Sequence, residues 1–190
     1  MSTVRSLSIP AESTHSSLLA QAAWITGFAA LTAVGAQIQI PHQPVPFTLQ
    51  TFSVILGAAF LGSRNATISQ ILYLTVGFLG APVFAGMSGG LSFLSAPTVG
   101  YLIGFPIGAL VIGMMMRRKT NYFWTLFSMF VGLTVIFACG TVGLYATYFH
   151  NIGQSITGGF LIFSWWDLLK LSAAAGIYQQ LARRYPKLPA

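Results

Sequence analysis

Six long apolar stretches, at roughly residues 18–40, 48–62, 65–80, 98–116, 122–149 and 164–182, occupy most of this chain of 190 residues. A helix that crosses a bilayer needs about 20 mainly apolar residues, with a range of about 17–25. The first, fourth and fifth stretches meet that length easily and the sixth just does. The second and third are short and read as a tilted pair. In hydrocarbon every backbone polar group must be satisfied within the protein, so runs of this kind fold as helices. Composition agrees: 6% of the residues are charged, against about 25% in a soluble domain, and so few charges cannot solvate a folded surface in water. The expected fold class is therefore an all-α integral membrane protein, a bundle of six transmembrane helices. The apolar run from Leu18 is too long for the core of a signal peptide and reads as a retained first helix.

The charges also give the orientation. Arg5, Arg64, the run Arg117-Arg118-Lys119, and Arg183, Arg184 and Lys187 make up eight of the nine basic residues. They lie before helix 1, between helices 2 and 3, between helices 4 and 5, and after helix 6. The alternate loops, residues 41–47, 81–97 and 150–163, carry no charge. The positive-inside rule places both termini in the cytoplasm, and an odd number of helices would break the alternation. Residues 1–17 then form a polar cytoplasmic segment and residues 18–190 a single membrane domain. The net charge of +7 is explained by topology rather than by nucleic acid, which would require a continuous basic face.

The ninth basic residue, Lys170, lies within the sixth stretch, three residues after Asp167. Charges inside a spanning segment cost about 2.5–3.5 kcal/mol each on insertion scales, and usually face a bundle interior, each other or a ligand. The i, i+3 spacing places both on one helix face, near its outer end. A ligand site and a structural ion pair are the two readings, the first favoured. Helix 1 carries Ala22, Thr26, Ala29, Ala33 and Ala36 or Gln37 at spacings of three to four. This strip of small residues lets another helix approach closely, either within the bundle or from a partner. Gln50 and Gln70 are polar groups within helices 2 and 3, facing a cavity or a neighbouring helix. The uncharged 3–4 loop, rich in glycine and apolar side chains, is expected to cover a cavity open to the outside.

Several chemistries are disfavoured. The single Cys139 permits no internal disulfide, and His15, His42 and His150 lie far apart, so no metal site is expected. Lys119-Thr120 follows Met114-Met115-Met116-Arg117-Arg118 rather than glycines, so there is no phosphate-binding loop for ATP. One membrane carboxylate without a helix-borne histidine or a G-x-S-x-G sequence leaves intramembrane hydrolysis without its base or metal.

From about residue 20 onward the sequence resembles the BioY family, the biotin-specific substrate-binding (S) subunits of energy-coupling factor (ECF) vitamin importers. The matching stretches are Ala29-Ala30-Leu31-Thr32-Ala33-Val34-Gly35-Ala36-Gln37, Pro44-Val45-Pro46-Phe47-Thr48-Leu49-Gln50-Thr51, Gly80-Ala81-Pro82-Val83-Phe84-Ala85-Gly86 with Ser88-Gly89-Gly90, Pro97-Thr98-Val99-Gly100-Tyr101, and Asp167-Leu168-Leu169-Lys170. The resemblance implies a six-helix bundle in the bacterial plasma membrane. It implies biotin as ligand, no cofactor, and a membrane coupling subunit with a pair of ATPases as partners. On that implication Asp167 accepts from an N–H of the ureido ring, and Lys170 serves the ureido carbonyl or the carboxylate tail. Gln50 and the loop backbone at Gly86, Gly89 and Gly90 take remaining polar groups, while Phe84, Tyr101 and Trp166 form apolar walls. Ala29 and Ala33 would then dock on the coupling subunit. An S subunit for another small vitamin, or an intramembrane enzyme, is the alternative.

Overall fold

The structure, a computed structural model, describes residues 18–119, 121–161 and 165–184, without the side chains of 183 and 184. The expected N-terminal segment over residues 1–17, with Arg5 and His15, and Lys187 near the other end lie outside the described residues. Helix α1, Leu18–Gln37, gives way where Pro41, Pro44 and Pro46 remove backbone donors. The chain turns there through a short antiparallel ladder, with β1 (Gln39–Ile40) paired to β2 (Phe47–Thr48) in the register Gln39 to Thr48. The Leu49 amide then donates to the carbonyls of Gly35 and Ile38, both at 3.1 Å, seating the start of α2 on the end of α1.

Helix α2, Gln50–Phe78, is broken at Gly62, whose backbone (φ 69, ψ 178) is not helical. It is a hairpin rather than a rod. The amide of Gln50 lies 2.6 Å from the hydroxyl of Tyr73, whereas a straight helix would put them about 34 Å apart at about 1.5 Å per residue. Glycine supplies the left-handed φ that reverses the chain, and the exposed Arg64 sits just beyond the break. The expected second and third helices are thus the two arms of α2. Their lengths of about 18 Å and about 24 Å fall short of a hydrocarbon core of about 30 Å.

Helices α3 (Val99–Met116), α4 (Tyr122–Leu144) and α6 (Trp165–Arg184) complete the bundle. With the two arms of α2 taken separately, the described residues hold six long helices. Three spans, Leu18–Gln37, Val99–Met116 and Tyr122–Phe149, are long and apolar enough to cross a membrane. A fourth arises if Ile152–Phe160 and Trp165–Ala182, bent by 47°, are taken as one. Residues 150–161, the described part of the loop expected over 150–163, differ from a plain loop. A π-helical turn at Tyr145–Phe149 leads to α5 (Ile152–Ser155) and a second π turn at Ile156–Phe160. Asn151 starts α5 by accepting from the Gln154 amide at 3.1 Å.

The seam between α3 and α4 is built on glycine. Gly100, Gly104 and Gly108 recur every fourth residue of α3. A Cβ at Gly104 would stand 3.1 Å from the Ile136 Cα, and one at Gly100 would stand 2.8 Å from the Gly143 Cα. Backbones so close gain dispersion contact along their length. Around them Ile112, Met129, Leu133 and Ile136 are fully buried.

The small-residue strip of α1 is divided. Ala29 (7% exposed) and Ala36 (0%) pack inside the bundle, Ala33 is half-buried, and Ala22 and Thr26 are exposed. Helix α1 meets α2 around Ile25, whose carbonyl accepts from Ser69 Oγ at 2.8 Å, and Leu31, whose carbonyl accepts from Ser53 Oγ at 3.2 Å. The docking expectation is corrected for Ala29, which presents no surface to a partner. The exposed small residues of α1 are Ala22, Ala23, Thr26, Gly27 and Ala30.

Candidate functional site

Asp167 and Lys170 are brought together in the first turns of α6, with Nζ 2.6 Å from Oδ1. Asp167 is 1% exposed and Lys170 8%. The first turn suits a carboxylate, because the unsatisfied amides there carry partial positive charge. Lys170 Nζ also donates to the Thr48 carbonyl (3.2 Å) and to Thr51 Oγ1 (2.8 Å). The ammonium therefore ties α6 to the start of α2. A chain of polar contacts continues from there. Thr48 Oγ1 donates to Gln50 Oε1 (2.9 Å), Gln50 Nε2 to Tyr73 Oη (2.6 Å), and Tyr73 Oη to the Val83 carbonyl (3.2 Å).

These groups form one end of a partly open cavity. Its apolar walls come from Val45, Pro46 and Phe47 of the turn and β2, from Phe84, Ala85 and Phe93 of the following loop, and from Leu102, Phe105 and Phe137 of α3 and α4. Thr48, Gln50, Thr51, Thr98, Tyr101, Asp167 and Lys170 supply the polar lining. Tyr101 is braced at both ends, its hydroxyl donating to the Gly159 carbonyl at 2.8 Å and its ring edge-on to Phe137. Phe84 is wholly buried against Tyr73, Phe78 and Phe93. Gly77 makes room for it, since a Cβ there would clash with the edge of the Phe84 ring.

Of the residues expected at the site, Asp167, Lys170, Gln50, Phe84 and Tyr101 line the cavity. Gly86, Gly89, Gly90 and Trp166 do not. Gly86 (φ 71) and Gly90 (φ 98) shape the loop, the Gly90 amide donates to Gly77 O at 2.8 Å, and Gly89 packs on the Ala81 carbonyl. Trp166 stacks on Trp165 at 4.2 Å and is 40% exposed. One residue along a helix is a turn of about 100°, which carries it off the face that Asp167 occupies. Gln70 sits apart, its amide donating to Thr32 Oγ1 at 3.3 Å between α1 and α2.

Three lining threonines were missed by the sequence reading. Thr48 and Thr51 flank Gln50, and that cluster of polar side chains at a helix start was the available signal. Thr98 is the more informative: among the described residues its Oγ1 and the Gln70 Oε1 are the buried side-chain atoms without a hydrogen-bond partner. A buried hydroxyl left unsatisfied costs about 1–3 kcal/mol, and this one borders a cavity where a ligand would meet it. Among the described residues no group of three His, Cys, Asp or Glu side chains is placed to hold a metal.

Fold and site together define a multi-pass helical membrane protein with a cavity that is apolar except for a charge pair and its hydroxyl and amide neighbours. The chain belongs to the BioY family, whose model matches residues 7–187. The biotin transporter BioY of Thermotoga maritima is 46% identical over 156 residues, 82% of this chain and 92% of that protein. The probable biotin transporter BioY of Pyrococcus horikoshii is 40% identical over 154 residues, 81% of this chain and 91% of its own length. Among solved structures, the crystal structure of the S-component for biotin from an ECF-type ABC transporter aligns with a TM-score of 0.79. That alignment covers 87% of this chain and 92% of the other, and at 22% identity it bears on the fold alone.

Proposed function

We propose that this protein captures biotin and mediates its uptake as the membrane-embedded S component of an ECF-type importer. The observation that carries the reading is the buried Asp167–Lys170 pair at the polar end of an apolar cavity, in a chain 46% identical to a biotin transporter. The ureido group presents an N–H donor and a C=O acceptor side by side on one edge. Asp167 and Lys170 present an acceptor and a donor 2.6 Å apart, the complementary pattern. The ammonium remains near enough to the other polar lining to serve the carboxylate tail instead. The unpartnered Thr98 hydroxyl and Gln50 take the remaining ureido groups, and Phe84, Tyr101, Phe105 and Phe137 enclose the thiophane ring.

The helices form one domain over residues 18–190 in the bacterial plasma membrane, the two short arms of α2 entering and returning as a bent pair, with residues 1–17 as a cytoplasmic extension and both termini inside. Support for this orientation comes from the position of the cavity. It lies where α2, α3 and α6 begin, whereas Arg64, Arg117, Arg118 and Lys119 lie at the far end, about 27 Å away along the 18 residues of α3. A cavity that faces outside is then opposite a basic inner face. A coupling subunit and a pair of ATPases supply the energy, the coupling subunit meeting α1 on the exposed Ala22–Ala30 face, with half-buried Ala33 at its edge. The protein itself is no enzyme on this reading.

The test is a biotin titration of the purified protein in detergent, followed by tryptophan fluorescence from the Trp165–Trp166 stack beside Asp167 and checked by direct binding of labelled biotin. Saturable binding, lost in Asp167→Asn and Lys170→Ala proteins that remain folded, is the expected result. Absence of binding at micromolar biotin would sink the proposal. Displacement of the label by thiamine, riboflavin or pantothenate in preference to biotin would reassign the ligand.

A further inference from the structure

The loop over residues 83–88 carries Phe84 and Ala85 into the cavity wall, and it is held from α1 by one side chain. Gln37, at the end of α1, uses both faces of its amide on this loop. Its Nε2 donates to the Phe84 carbonyl at 3.0 Å and lies within reach of the Val83 carbonyl at 3.4 Å, while its Oε1 accepts from the Met87 amide at 2.9 Å. The two bonds bracket the Ala85–Gly86 turn as a strand partner would. Met87 stands at φ 54 with its side chain 65% exposed. That is a conformation L side chains rarely adopt, and Met87 has little packing of its own to hold it. The opposite side of the loop is fixed by Tyr73 Oη on the Val83 carbonyl, itself in line with Gln50 and the ion pair.

We infer that Gln37 is a positioning residue of the cavity: its amide latches the 83–88 loop closed, so that closure of the site is set by the placement of α1. The charge pair need not change for the loop to loosen, because movement of the end of α1 withdraws both bonds together, leaving the buried Phe84 ring as the loop's remaining anchor. The consequence for the ligand rests on the biotin reading above, whereas the latch itself is a property of the empty protein.

The experiment compares the full chain in lipid nanodiscs with Gln37→Met and Gln37→Glu. Methionine keeps the length and packing but neither hydrogen bond. Glutamate keeps the acceptor for the Met87 amide and loses the donor. Hydrogen–deuterium exchange of the ligand-free proteins is expected to quicken by about tenfold or more at residues 84–88 in Gln37→Met and by less in Gln37→Glu, with α3 peptides unchanged. Dissociation of labelled biotin in a chase is expected to accelerate by about tenfold in Gln37→Met, with association altered by less than about threefold. Parent-like exchange in Gln37→Met would overturn the latch, as would acceleration spread evenly over every helix, which would mark a general packing role. Faster loop exchange with unaltered biotin dissociation would overturn the positioning role. A parent protein that binds no biotin would refute the functional reading instead, and the exchange measurement would still decide the latch.

Discussion

Asp167 and Lys170 are both nine-tenths buried or more, and a pair in that setting behaves differently from one on a surface. Removing one partner leaves a charge with no counterpart, a loss of about 3–5 kcal/mol, whereas replacing both with apolar groups of similar volume is often close to neutral. Asp167→Leu should therefore unfold at clearly lower temperature in detergent, and Asp167→Leu/Lys170→Met should recover most of the loss while still failing to bind biotin. Equal destabilisation of single and double variants would mean that the contacts of Lys170 to Thr48 and Thr51, rather than the pair, secure α6. Thr98 makes the converse case. With no bond of its own to lose and an unsatisfied hydroxyl to shed, Thr98→Val should hold or raise the unfolding temperature of the ligand-free protein, yet weaken biotin binding by roughly 1 kcal/mol, about fivefold by isothermal titration. The charge pair was legible in the sequence because charges in apolar runs are rare. Thr98 was not, because a membrane threonine usually bonds to its own helix, as Thr67, Thr75 and Thr134 do here. Only coordinates distinguish a hydroxyl that does from one that does not. Trp166 was expected in the wall as a large apolar side chain, but one residue along a helix turns it away from the face that Asp167 occupies.

At the scale of elements, apolar runs and the charge between them revealed where helices begin and end, and even the two short arms of α2 were recovered as a pair around Arg64. What they do not encode is which faces meet. The glycines of α3 at positions 100, 104 and 108 carry a close seam with α4, yet the reading turned to the alanines of α1, half of which prove to be interior. Small residues permit close approach wherever they occur, and the partner is fixed by the rest of the fold. Gly104→Val should separate α3 from α4 and cost about 1–3 kcal/mol, measured as a lower unfolding temperature. Because Tyr101 and Phe137 straddle the same seam, biotin affinity should fall with it. The helical turns between Ile152 and Phe160 escaped notice for another reason: glycines punctuate a segment whose apolar residues pack one turn at a time, too short for periodicity to register.

At the scale of the whole molecule, Arg64, Arg117, Arg118 and Lys119 lie at the opposite end from the cavity, and this arrangement can be tested without any ligand. In a Cys139→Ser background, a membrane-impermeant thiol reagent applied outside intact cells should label Met87→Cys, which is well exposed on the cavity side, and not Arg64→Cys, exposed at the Gly62 break. The reverse pattern would invert the proposed orientation. The separation also governs how a solute arrives. Biotin carries a negative charge, and the formal +7 of the chain looks ready to draw it in. The basic loops stand about 27 Å from the mouth along α3, however, and the field of an exposed charge in physiological salt fades over about 8 Å. The charges at the entrance side cancel within the Asp167–Lys170 pair. Capture should therefore proceed by unaided diffusional encounter, its association rate nearly constant from low to high ionic strength, so that the protein would collect its vitamin equally well from dilute and from saline surroundings.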